Sequence, residues 1–150
     1  MNGRIWAKIT ILGMTLFLLL VFSSACAQSA AKVDALSLSG YIMDEHCFIK
    51  KPDPGSDSKT CLQMPGCAAT GYGIAVKRAN DTYKFYYFNG NFAPEATDAQ
   101  LMAVNLINNT VKKDHIYITI TGTITGELKR ASDSASFQVI NVTSMSESDE

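Results

Sequence analysis

From Tyr72 to Phe88 the chain reads YGIAVKRANDTYKFYYF, two apolar-rich runs on either side of a polar corner. In the first run Ile74 and Val76 recur at every second position, the period of a strand. In the second, Tyr83, Phe85 and Tyr87 share one face while Tyr86 and Phe88 share the other, the pattern of a sheet packed on its sides. Asn80-Asp81 between them suits a tight hairpin, because both residue types tolerate positive φ. Two strands over 72–79 and 83–88 are therefore predicted, the second ended by Asn89-Gly90-Asn91.

Downstream, Thr97 and Gln100 have the spacing of a capping box, and Leu101, Val104 and Ile107 with Ala103 form a helical stripe that stops at Asn108-Asn109-Thr110. Ile116, Ile118 and Ile120 alternate with Tyr117, Thr119 and Thr121 in a further strand, continuing past Gly122 to Ile124. A polar turn over 129–134 precedes a last strand carrying Phe137, Val139 and Ile140. Upstream, Leu36, Leu38, Gly40 and Ile42 mark a first strand, which Asp44 and Glu45 end. Five strands with one helix between the third and fourth predict an all-β or β-rich α+β chain, a five-stranded OB-like barrel plugged at one end by its helix. Closure would also hide the sheet edges.

Between the first strand and the hairpin lies a Cys-rich insertion over 44–70 with no sustained period. Lys51-Pro52-Asp53-Pro54-Gly55 rules out a continuous helix or central strand there. Thr60 to Met64 suits one helical turn stopped by Pro65-Gly66, and Cys67 to Thr70 a second closed by Gly71. Neither is long enough to stand alone, so cross-links or packing must hold the lobe.

The amino terminus has the parts of an export signal: Arg4 and Lys8, an apolar run of 14 positions from Ile9 to Phe22, and the small-residue exit Ala25-Cys26-Ala27. The run is short of the about 20 residues of a membrane-spanning helix. Cleavage after Ala27 would release a soluble product, secreted or periplasmic. Lipidation at Cys26 or retention of the signal would instead tether it to a membrane. The expected organisation is a signal peptide over 1–27, a flexible segment over 28–34, the OB-like domain over 35–143 and an acidic tail over 144–150. Beyond residue 27 there are 11 basic against 14 acidic residues, a balance that excludes tight attraction to nucleic acid.

Cleavage at Ala27 leaves Cys47, Cys61 and Cys67, an odd set. In an oxidising compartment a disulfide among them is the expectation, with three pairings open. A second reading gathers His46, Cys47, Cys61 and Cys67 on Zn²⁺ or Cu⁺ as a soft-metal site. A strand continuing through His46-Cys47 would point these two side chains apart, which counts against it. A third reading, thiol-redox catalysis, lacks a Cys-x-x-Cys pair. No nucleophile, base and orienting group stand together, so an enzyme is not the first expectation. Asp44, Tyr83, Tyr86 and Tyr87 are the candidate ligand-facing residues.

The segment from Gly40 to Cys47, GYIMDEHC, with Cys61, Cys67, Gly71 and the later GTITG at 122–126, resembles a group of small exported bacterial proteins. That group combines a G-x-(aliphatic)-x-D-x-x-C strand, a later cysteine pair and an OB-like β segment. The resemblance implies the fold and no established activity. Asp44 takes its motif acid, Cys47 its first cysteine, and Cys61 and Cys67 its later pair. The function expected is a noncatalytic extracytoplasmic binding or interaction module for an envelope or extracellular ligand. No cofactor is required by that reading, and soft-metal binding through the cysteine lobe is its alternative.

Overall fold

Alternating side chains place one face of Leu36–Asp44 (β1) inward, and the chain is then carried round a closed barrel. The structure, a computed structural model, describes residues 35–90, 98–132 and 135–150. The expected signal peptide over 1–27, the segment 28–34, the lipidation candidate Cys26 and the expected cap Thr97 lie outside the described residues. No helix among the described residues is long and apolar enough to cross a membrane.

The strands are β1, β2 (Tyr72–Lys77), β3 (Tyr83–Phe88), β4 (Tyr117–Ser132) and β5 (Ala135–Glu147). They close in the order β1-β2-β3-β5-β4, with β1 paired to both β2 and β4. All neighbours are antiparallel except β3 and β5, which run parallel with Tyr87 opposite Val139. This is the five-stranded OB-like barrel expected from the sequence, with one long helix and a Cys-rich insertion.

Ile42, Ile74, Phe88, Ile118, Ile120 and Ile140 fill the barrel. The two faces of β3 divide as its alternation predicts. Phe88 and Tyr86 pack with the barrel core, while Phe85, Tyr87 and Tyr83 join Met43 and Ala75 in a second cluster on the outside. The hairpin turns where expected, with Asp81 at φ 57°.

The last two strands run further than the sequence suggests. Residues 129–132, expected as turn, belong to β4, and β5 continues to Glu147 through the first part of the expected acidic tail. Their ladder extends from Ile118 opposite Glu147 to Ser132 opposite Ala135, with three register shifts. Each shift breaks the two-residue period, so a polar stretch held by backbone pairing carries no readable strand signal.

The long helix, Ala99–Asn109 (α4), is capped by Asp98, whose carboxylate accepts the Leu101 N–H at 2.8 Å. Gln100 is not the reciprocal capping residue. Fully buried, its amide accepts from the Tyr72 N–H at 2.8 Å and donates to the carbonyls of Tyr72 at 3.0 Å and Phe88 at 2.8 Å. It thus satisfies the backbone where β2 and β3 meet the helical plug, a tertiary role that helical spacing cannot reveal.

The insertion forms three short helices and a 3₁₀ turn: α1 (Glu45–Lys50), the turn Pro54–Ser56, α2 (Lys59–Leu62) and α3 (Pro65–Ala68). Helix α1 starts without a break from β1 and occupies a segment for which no helix is expected. Pro65 opens α3 rather than stopping α2, because its missing N–H and fixed φ suit a first helical position. Leu62 of α2 is buried in the barrel core, and the Tyr72 hydroxyl donates to its carbonyl at 2.6 Å. The Lys59 ammonium donates to the carbonyls of Asn108 at 3.2 Å and Thr110 at 2.7 Å at the end of α4. Replacing Gln100 by Met removes its three hydrogen bonds to the backbone groups of Tyr72 and Phe88. It is expected to lower the unfolding free energy by on the order of 3 kcal/mol in a denaturant titration; a loss below about 0.5 kcal/mol would contradict this role.

Candidate metal centre

Three short helices bring three cysteines to one point, and each supplies its cysteine from the third helical position. Cys47 lies three residues after the cap Asp44, Cys61 three after the cap Ser58, and Cys67 three after Met64. The Asp44 carboxylate accepts the Cys47 N–H at 2.9 Å, and the Ser58 hydroxyl accepts the Cys61 N–H at 3.2 Å. Gly71 closes the lobe at φ +87°, its carbonyl accepting the Glu45 N–H at 2.9 Å. A Cβ there would strike the Tyr87 hydroxyl, which donates to the Thr70 carbonyl at 3.1 Å.

The sulfurs of Cys47 and Cys61 stand 3.9 Å apart, and those of Cys61 and Cys67 4.0 Å. A disulfide requires about 2.0 Å. The expected disulfide is therefore corrected: Cys47, Cys61 and Cys67 are all free thiols. The spacing has a different match. A tetrahedral ion with Zn–S bonds of about 2.3 Å sets its sulfurs about 3.8 Å apart.

The fourth corner belongs to Asp44. One donor atom each from Asp44, Cys47, Cys61 and Cys67 lie within 4.8 Å of one another. Asp44 is fully buried, and while one carboxylate oxygen caps α1 the other, Oδ2, has no hydrogen-bond partner. A buried unpaired carboxylate oxygen is costly, and a cation beside it removes the cost. This cluster of three sulfurs and one carboxylate is suited to coordinate Zn²⁺ or Cu⁺.

His46, placed by the sequence reading among the ligands, has an exposed side chain and is not in the group. Its backbone N–H reaches the Thr70 hydroxyl at 3.4 Å. The objection that neighbouring residues 46 and 47 diverge along a strand disappears because the strand ends at Asp44. Once α1 begins, the cap and third helical positions face each other, and Asp44-x-x-Cys47 becomes the compact ligand pair. That spacing was available in the sequence as a cap three residues before a cysteine.

Asp57 is the residue the sequence reading did not single out. It is 1% exposed, and one oxygen accepts the Asp44 N–H at 3.3 Å while Oδ1 has no partner. Burial pushes its carboxyl above the ordinary range, partly offset by hydrogen bonding from the Cys47 thiol. Glu45, beside Asp44, is also buried and raised, chiefly by desolvation and partly relieved by Lys129. The thiols are raised as well. Burial, reinforced by the Asp44 and Asp57 carboxylates, lifts Cys47 well above the ordinary thiol value. Burial followed by the Asp44 charge lifts Cys67 to about 11. Nucleophilic redox thiols need the opposite shift.

Of the aromatic candidates, Tyr83 and Tyr87 share the outer cluster and Tyr86 lies on the opposite face of β3. Tyr83 edges Tyr41 with ring centres 6.2 Å apart, Tyr86 packs against the barrel core beneath the Lys84 ammonium, and Tyr87 is buried. Comparison with protein family models, curated proteins and solved structures gives no match.

The raised carboxyls have a signed consequence for the metal-free protein. Asp57 holds its proton more tightly folded than unfolded, so its stabilising contribution is full below the unfolded pKa and is lost as pH rises through the folded pKa. Metal-free Asp57→Asn is expected to gain stability on the parent as pH is raised from about 4 towards neutrality, measured by denaturant midpoints. A constant difference across that range would contradict the shift.

Proposed function

We propose that this protein is a metal-binding module that holds one zinc ion on Cys47, Cys61, Cys67 and Asp44. The observation that carries the reading is the buried Asp44 carboxylate, its Oδ2 without a hydrogen-bond partner, within 4.8 Å of three sulfurs, of which Cys61 stands 3.9 Å from Cys47 and 4.0 Å from Cys67, close to tetrahedral spacing. Thiolates alone would suit Cu⁺, whereas an added carboxylate oxygen favours the borderline Zn²⁺. All four positions are filled by protein donors, which is the composition of a closed structural or storage site rather than of a catalytic one.

Binding would replace the cross-link that a disulfide was expected to supply. The insertion's helices have four to six residues each, and an ion shared by all three would tie them to the end of β1. Export, which we infer from residues 1–27, would put these thiols where disulfides form, and coordination would keep them apart as thiolates. Because the thiols must lose protons to bind, affinity should rise with pH.

Elemental analysis of the untagged protein is expected to give one zinc per chain. Cys61→Ser should weaken binding by more than about 100-fold. Asp57→Asn, which changes a neighbour of the ligands, should weaken it by about 10- to 100-fold. Zinc at saturation, about 100 times its Kd, should stabilise the parent by about 2.7 kcal/mol. Protein that binds no zinc, or whose thermal stability zinc leaves unchanged, would overturn the proposal.

A further inference from the structure

Helix α1 carries a metal-site cysteine and, at the next position, the ring that covers the aromatic outer face of the barrel. Phe48 stacks on Phe85 with ring centres 4.7 Å apart and planes 21° apart, and meets Phe137 edge-on at 5.8 Å. Phe85 and Phe137 are themselves in edge contact at 5.0 Å. Beneath them lie Met43 and Ala75, both fully buried. On the same helix Ile49 points outward and is 42% exposed.

Six residues are far fewer than the about 12–15 at which an isolated helix becomes marginal in water. Helix α1 therefore exists only through its anchors: the Asp44 cap, the Glu45 N–H on the Gly71 carbonyl, Cys47 in the sulfur cluster and Phe48 on the barrel wall. Without an ion, two of these anchors oppose a buried carboxylate oxygen on Asp44 and another on Asp57, neither with a partner. Lifting α1 would let water reach both oxygens. With an ion, the same carboxylate and sulfur become attractive and hold the helix down.

We propose that Phe48 couples the metal centre to the barrel's aromatic face, so that ion binding seats α1 over Phe85 and Phe137 and ion loss lifts it and bares them. This deepens the zinc reading and rests on it. Coupling of this kind is reciprocal: if zinc tightens the Phe48 stack, the stack must tighten zinc by the same factor. Phe48 is then a positioning residue for an ion it never touches.

The test uses the full untagged chain and zinc competed against a chromogenic chelator. Phe48→Ala is expected to weaken zinc binding by about tenfold or more. Phe48→Leu, which keeps apolar volume but loses the ring stack, should fall between Phe48→Ala and the parent. Ile49→Ala on the outward side should change affinity by less than about twofold. In hydrogen exchange, residues 45–51 of the parent should lose protection when zinc is removed, while β2 and β3 keep theirs and report an intact barrel. A parent that binds one zinc, with the Phe48 variants equal to it in affinity, would overturn the coupling and leave the metal centre standing. Equal protection of 45–51 with and without zinc would do the same. A parent that binds no zinc would overturn both.

Discussion

Asp44 stands where a strand of the barrel becomes a helix, and its two carboxylate oxygens do different work. One accepts the Cys47 N–H and so starts α1; the other lies buried among sulfurs with no hydrogen-bond partner. The first interaction ends β1 and turns Cys47 inward. The second places a carboxylate oxygen among thiols that burial and the nearby carboxylates raise, so that they stay protonated around it. A cation at this point would reconcile the two, because it would give the orphan oxygen a partner and allow the thiols to ionise.

The barrel and the insertion depend on this junction unequally. The barrel has a filled interior, a closed hydrogen-bond circuit and the Gln100 amide joining its strand ends to the helical plug. The insertion has short helices whose apolar side chains are mostly lent to the barrel, Leu62 to its core and Phe48 to its wall. Its remaining ties are scattered hydrogen bonds, such as Glu45 to Gly71 and the Lys59 ammonium to the Asn108 and Thr110 carbonyls at the end of α4. What the lobe can call its own is the cluster of Cys47, Cys61, Cys67 and Asp44, which makes the oxidation and metal state of those residues a matter of folding.

The barrel was largely legible in the sequence because its information is periodic. Ile74 and Val76, the split faces of Tyr83 to Phe88 and the Asn80-Asp81 corner each have a local cause and stand where expected. Residues 129–132 and 144–147 were not legible, since register shifts break the alternation and pairing rather than hydrophobicity keeps them in the sheet. The site was half legible. The three cysteines were candidates from their number, but a disulfide was expected among them and His46 was preferred to Asp44 as the metal ligand. The disulfide followed from the oxidising compartment and His46 from its place beside Cys47, whereas the cap-x-x-Cys spacing of Asp44 and Ser58 encodes helix starts that aim the sulfurs at one another. Asp57 had no local signal, because it joins the site only through the fold of the insertion.

X-ray absorption at the zinc edge of the purified protein tests the central claim most directly, since it reports donor type and distance together. Three sulfurs at about 2.3 Å and one oxygen at about 2.0 Å are expected, with the oxygen contribution altered in Asp44→Ala. A shell containing imidazole nitrogen, or one made only of oxygen and nitrogen, would contradict a site built from Cys47, Cys61, Cys67 and Asp44.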